Sequence, residues 1–315
     1  YFKDHITIVD NLKSISDDEL IINKLSCHLG SAMQIEGNYL TPALAQNIII
    51  KKKNENNSKS LFSLKEKHNE EGKKFLKSLG LEENKWFVTL HIRDDSYRPF
   101  EKNENFRNAD IDDYFPAIKK IIDAGGFVFR VGHPGMKKIP STKGIYDYAN
   151  SKKKSELLDV FLGAKSKFCI ATSSGYYIIP SLFSVPVLMT NCPQHSVFFE
   201  LNNYDLYLPK LFKDKNTNEL LKLPKIFKSS HNSLFSENQY EKKGIKVLNN
   251  TKDEIALATN EMLEATINHS KLVSFSDLQI SANNSIQSEL SKNNEDFSPI
   301  SKISHNFLEK HSHLI

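Results

Sequence analysis

The feature that most constrains this chain is an alternation of short apolar runs with segments of helical spacing. The runs lie at 86–92, 127–131, 168–171, 185–189, 206–208 and 245–248, and several are continuous rather than alternating, as in strands covered on both faces. Between them, 111–124, 155–164, 175–183, 219–227 and 252–267 repeat apolar residues three and four apart, and 61–79 reads as a further helix stopped by Gly80. Such an order predicts an α/β fold with a mainly parallel sheet and helices on both sides. In sheets of this kind ligands bind at the carboxyl ends of the strands.

Polar residues gather where those ends fall. In LHIRDDSYRP (90–99), His91, Arg93, Asp94 and Asp95 follow directly on an apolar strand. The guanidinium of Arg93 suits two phosphate oxygens, or else an ion pair with Asp94 or Asp95. His91 could serve as a base, a ligand contact or a satisfied histidine at a strand end. Arg107 stands just before a helix expected to be capped by Asp110. Arg130, inside the apolar GFVFRVG, needs either a structural carboxylate or an anionic ligand if it is buried.

The run KFCIATSSGYYIIP delivers Thr172, Ser173, Ser174 and Gly175 from a strand into an expected helix, where hydroxyls and unpaired amides suit phosphate. A serine cap on an ordinary turn would use the same residues. Asp159 lies on a polar stripe with Ser155 and Gly163 along an otherwise apolar helix. No DxD-type cluster is placed for a cation, so no metal and no cofactor are expected.

At 315 residues the chain exceeds the common size of one domain. Residues 1–60, ending in the polar stretch KKKNENNSK, read as the remnant of a preceding domain and a linker. The main domain is expected over 61–280. Residues 281–315 form a C-terminal extension, with 281–297, rich in Ser, Asn and Glu, as a mobile connection to the last helix.

Composition excludes several classes. Hydrophobic residues at 39% and charged ones at 25% suit a soluble globular protein, and 42 basic against 38 acidic residues give no general case for nucleic acid. The apolar stretch 176–189 is broken by Pro180, Ser181, Ser184 and Pro186, and is shorter than the roughly 20 residues needed to span a bilayer. Cys27, Cys169 and Cys192 lack CxxC spacing and read as reduced packing residues of a cytoplasmic protein. His305, His311 and His313 read as part of a polar tail. Lys51 to Lys53 and Lys152 to Lys154 read as solvated faces, the first placed to meet an anionic membrane surface.

Taken together, VTLHIRDDSY, FRNADIDDYFPAIKKIIDAGGFVFRVG, YDYANSKKKSELLDVFLGAKSKFCIATSSGYYIIPSLFSVPVLMTN and GIKVLNNTKDEIALATNEML resemble a bacterial family of surface-glycan glycosyltransferases of GT-B fold, over about residues 62–310. More remotely, H-x-R after a strand, then D…TSS before a helix, is similar to the fucosyltransferase-like group. The resemblance implies a Rossmann-like donor domain at 61–280 and an acceptor-side N-terminal domain of which 1–60 is the remnant. It also implies that Arg93 contacts the donor diphosphate, that His91 and Asp159 face the base or ribose, and that Ser173 and Ser174 hold phosphate. Asp94 and Asp95 stand where the remote group has a second basic residue, so the nucleotide is not fixed as GDP.

The function expected on this basis is inverting, metal-independent transfer of a sugar from a nucleotide-sugar donor to a glycan or lipid-linked glycan, in the cytoplasm or at the inner face of the membrane. Asp94 or Asp95 is the expected base, and Arg93, Arg107 and Arg130 are the expected cations of the donor site. The alternatives are a nucleotide-sugar epimerase and a non-catalytic nucleotide- or carbohydrate-binding module, between which fold cannot choose.

Overall fold

The computed structural model describes residues 60, 62–82, 84–100, 102–193, 202, 204–232, 234–267, 274–293 and 301–315, together with the backbone of 33–35 and 38–40. The chain divides into two compact units, 1–58 and 59–315. In the first, strands β1 (Met33–Ile35) and β2 (Asn38–Leu40) pair antiparallel, with Met33 opposite Leu40. Cys27, Lys51 to Lys53 and the rest of the expected N-terminal remnant lie outside the described residues.

The second unit is built on a seven-stranded parallel sheet. Its strands are β3 (Phe87–His91), β4 (Phe127–Arg130), β5 (Ile145–Tyr146), β6 (Cys169–Ala171), β7 (Val187–Cys192), β8 (Leu206–Pro209) and, near the C-terminus, β11 (Lys302–Ile303). They lie side by side in the order β11-β8-β7-β6-β3-β4-β5. The chain runs from β3 outward through β4 to β5, returns to place β6 on the other side of β3, and continues outward to β11. The strand order therefore reverses between β3 and β6, where Leu90 pairs with Ile170 and His91 with Ala171.

Helices cover both faces, which explains why the strand sequences are continuously apolar. Val88 and Leu90 share a core with Ile118 and Ile121 of α2 (Phe115–Asp123) and with Ile255, Ala258 and Met262 of α8 (Lys252–Ile267). Phe87 and Phe129 join a separate cluster with Phe75 of α1 (Glu66–Lys77) and Leu158, Phe161 and Leu162 of α3 (Glu156–Lys165). Gly72 lets α1 close on α3, because a Cβ there would stand 2.1 Å from the Phe161 ring. Cys169 and Cys192 are free and buried, as packing residues should be.

Several elements differ from expectation. The run at 245–248 forms β10 (Ile245–Leu248), which leaves the main sheet and pairs antiparallel with β9 (Leu211–Asp214). Lys246 is exposed beside buried Ile245, the mixed pattern of a ribbon wetted on one face. The segment 219–227 contracts to α5 (Leu223–Ile226), with Pro224 in its first turn, because Leu220 bridges Lys213 and the Leu221 amide donates to the Phe212 carbonyl. The short helices α6 (Ser229–Asn232) and α7 (Glu237–Lys242) follow. The segment 175–183 is a 3-10 turn, Gly175–Tyr177, running into a five-residue α4 (Ile178–Leu182).

Residues 281–293 are not a mobile connection. Residues 281–291 belong to α9 (Asp277–Ser291), started by a capping box between Ser276 and Gln279 and held by buried Ala282, Ile286 and Leu290, and a turn at 292–293 follows. Those apolar positions recur every four residues but are embedded in a Ser- and Asn-rich composition. Residues 294–297 lie outside the described residues. Nor is His311 part of a polar tail: it follows α10 (His305–Lys310), is 8% exposed, and its Nε2 stands 2.7 Å from Glu254 Oε1.

Candidate functional site

The carboxyl ends of β3, β4 and β6 open into a cavity of about 470 Å³ at the reversal of strand order. His91 and Arg93 reach it from β3, Gly132 and His133 from β4, and Ser174, Gly175 and Tyr176 from β6, with Lys154 and Asp159 from the region of α3. A crevice at such a reversal is where open α/β sheets take their ligands. A second cavity, of about 760 Å³, adjoins it between the 105–111 segment and the β9–β10 ribbon. Asp94, Asp95, Asn105 and Asn108 line both.

Arg93 pairs with neither neighbouring aspartate. Its backbone amide donates to Thr172 Oγ1 at 2.9 Å, tying the β3 end to the β6 end. Its guanidinium donates to the Glu104 carboxylate at 2.8 Å, to the Glu104 carbonyl at 3.0 Å, and to the side chain of Asn108. Arg107 shares the Glu104 carboxylate at 2.8 Å and grips the Ser173 carbonyl with two donors, at 2.9 and 3.2 Å. The 3-10 segment Lys102–Arg107 is thus a strap that fixes both the Arg93 side chain and the Ser-rich turn.

Of that turn, only Ser174 and Gly175 face the cavity; Thr172 and Ser173 are buried beneath it. Ser174 precedes the 3-10 turn without capping it by its side chain, and a Cβ on Gly175 would meet nothing within 4 Å. The site has room above this glycine.

The expected cations fall in different places. Arg107 works from behind the turn, and Arg130, 1% exposed, lines the larger cavity. Arg130 is answered by a structural carboxylate, since it donates to Asp147 Oδ1 at 2.9 Å, while its Nε is buried without a hydrogen bond. Lys210 was not anticipated from the sequence, although a lysine inside YLPKLF is the same signal as an arginine inside FVFRVG. Only 1% exposed, Lys210 donates to the Phe106 carbonyl at 2.7 Å, the Asn108 carbonyl at 3.0 Å and Asn249 Oδ1 at 2.7 Å. It pins the strap from below, and burial lowers its pKa to about 7.

The two aspartates are not equivalent. Asp94 closes its own loop: Oδ1 accepts from the Ser96 amide at 3.1 Å and hydroxyl at 2.5 Å, and Oδ2 accepts from the Lys137 amide at 3.3 Å. Asp95 is exposed and makes no hydrogen bond or ion pair among the described residues. It stands at the junction of the two cavities. Asp159 is held by Lys154 at 2.6 Å, and burial raises its carboxyl above the ordinary range.

His91 stacks on Tyr176, with ring centroids 5.4 Å apart and planes 11° from parallel. Part of the ring reaches the cavity, while Nδ1 is shut away without a hydrogen bond. Burial, helped by the Arg130 charge, lowers its pKa from 6.5 to about 4, so the imidazole is neutral near pH 7. The unfolded chain then binds a proton between pH 6.5 and 4 that the folded chain refuses. Stability should therefore fall as pH drops through this window and level off below it. His91→Phe should flatten that part of a denaturation profile measured against pH; an unchanged slope would refute the burial of a neutral ring.

Among the described residues, no three of His, Cys, Asp and Glu converge on a cation site, and no helix is long and apolar enough to cross a membrane. The sequence matches no family model and no curated protein. A solved structure of the ADP-heptose LPS heptosyltransferase II of E. coli is similar over 67% of this chain and 54% of that one, with 11% identity and a TM-score of 0.42, so the chain spans about half the length of that protein.

Proposed function

We propose that the protein is a glycosyltransferase that binds a nucleotide-sugar donor in the smaller cavity. The observation that carries this reading is the cavity at the β3/β6 reversal, where Arg93, a glycine-led turn and the stacked His91 and Tyr176 meet. The stacked rings offer a wall for a base or ribose, and Asp159 stands by for a ribose hydroxyl. Ser174, the open surface over Gly175 and the Arg93 charge suit a diphosphate. Because Glu104 and Asn108 already order the Arg93 side chain, binding need not immobilise it.

In the reaction, the acceptor hydroxyl oxygen attacks the anomeric carbon from the face opposite the leaving group. The bond from that carbon to the diphosphate oxygen breaks, and its electron pair departs with the nucleotide diphosphate. The hydroxyl proton passes to a carboxylate, for which unengaged Asp95 is better placed than Asp94. The anomeric configuration inverts. Arg93 takes up the charge developing on the diphosphate, so the transfer is proposed to need no metal. The acceptor of this reading is a glycan or lipid-linked glycan, met in the cytoplasm at the inner face of the membrane.

Incubating the full chain with UDP-, GDP-, CMP- and dTDP-sugars in the presence of EDTA should release the nucleotide from one of them when a glycan acceptor is present. Strict dependence on Mg²⁺ or Mn²⁺ would contradict the metal-free mechanism. Conversion of the donor to its epimer without acceptor would identify an epimerase instead.

A further inference from the structure

The larger cavity lies outside the donor site proposed above and is joined to it through Asp94, Asp95, Asn105 and Asn108. Its charged groups are largely answered within the protein. Lys137 pairs with Asp110 at 3.0 Å and Asp112 at 2.7 Å, Lys215 with Glu241, Arg130 with Asp147, and Lys210 with two carbonyls and Asn249. Five acidic side chains, Asp94, Asp95, Asp110, Glu237 and Glu241, stand against five basic ones, Arg130, Lys137, Lys210, Lys215 and Lys246, so the wall has no large excess of either sign to select an ion. The amides of Asn105, Asn108 and Asn249 line it together with the apolar surfaces of Phe106, Ile111, Tyr240 and Val247. Such a wall suits a neutral ligand with many hydroxyls and an apolar face.

From this we infer that the larger cavity is the binding site of a neutral saccharide acceptor, held by the donor-domain unit itself and presented to the donor across Asp95. The inference rests on the glycosyltransferase reading for the identity of its neighbour, but it concerns a different cavity and different residues. At about 760 Å³ the cavity has room for a ligand of disaccharide size. The exposed carboxylate of Asp95, lining both spaces, is the group through which a hydroxyl in one could lose its proton as it attacks a carbon in the other.

The test is saturation-transfer-difference NMR on the full chain with lactose, cellobiose and N,N′-diacetylchitobiose, with and without saturating UDP or GDP. Val247→Trp would fill the cavity from β10, and Lys246→Trp, at an exposed position on the same ribbon, guards against a folding defect in the first variant. At least one disaccharide should give signals that persist in the nucleotide and fall at least several-fold in both variants, while nucleotide-induced thermal shifts stay as in the wild type. Disaccharide signals that are abolished by nucleotide, that are unaffected by both tryptophans, or that are absent for all three sugars would overturn the inference. Nucleotide binding without saccharide binding would defeat this inference alone; saccharide binding at the ribbon without nucleotide binding would defeat the donor reading alone.

Discussion

Replacing Asp147 by Ala is expected to cost about 3–5 kcal/mol of folding stability. The reason is Arg130, which ends β4 almost wholly out of water at 1% exposure. Its one close carboxylate is Asp147 at 2.9 Å; Asp94 Oδ2 is 4.0 Å away and accepts from the Lys137 amide. A buried guanidinium stripped of its counter-charge costs far more than the pair contributes. Asp147 also accepts from Asn150 Nδ2 at 2.8 Å, so Asp147→Asn, which keeps a hydrogen-bonding side chain, separates loop contacts from charge. The double variant Arg130→Met with Asp147→Asn should be more stable than Asp147→Asn alone. Urea unfolding midpoints check this, and a loss below about 1 kcal/mol in Asp147→Ala would show that buried Arg130 does not depend on Asp147 for its counter-charge.

The second large effect is on turnover. Asp95→Asn should lower kcat by about 10²-fold or more while leaving nucleotide affinity and unfolding midpoint close to those of the wild type, because its exposed carboxylate makes no hydrogen bond or ion pair among the described residues. Asp94→Asn should behave in the opposite way. Its carboxylate organises Ser96 and Lys137, so the loss should appear in stability and donor binding rather than in kcat alone. Equal kcat losses in the two variants with equal losses of stability would make both aspartates structural, and the base would have to be sought elsewhere.

These contrasts mark how far the sequence could be read. The parallel sheet and the convergence of His91, Ser174 and Gly175 were legible because a strand buried on both faces must be apolar throughout and must release its polar residues at its end. The roles of individual arginines were not. Whether Arg130 meets a ligand or Asp147 depends on the partner 17 residues away, and Arg107 reaches forward 66 residues to Ser173. The strap at 102–107 was hidden for the same reason: Glu104 and the adjoining Asn108 reach Arg93, and Lys210 reaches the strap, through contacts between residues distant in sequence. Helix α9 was concealed by its composition, since Ser and Asn are frequent in it and its buried residues, Gln279, Ala282, Ile286 and Leu290, include only three apolar ones. Edge elements such as β5 and β11, two residues each, are too short to leave a period.

The central claim, that the cavity at the β3/β6 reversal holds a nucleotide diphosphate, is tested most directly by calorimetric titration of UDP, GDP, CDP and dTDP into the wild type, Gly175→Val and Arg93→Lys. The space above Gly175 is open, so Gly175→Val should fold as the wild type does but intrude on the ligand. Arg93→Lys keeps the charge and loses the fork that Glu104 and Asn108 position. One of the nucleotides should bind the wild type and each variant should weaken that binding about tenfold or more, with Gly175→Val retaining its melting temperature. Binding of none of the four, or equal affinity in the wild type and Gly175→Val, would contradict that claim.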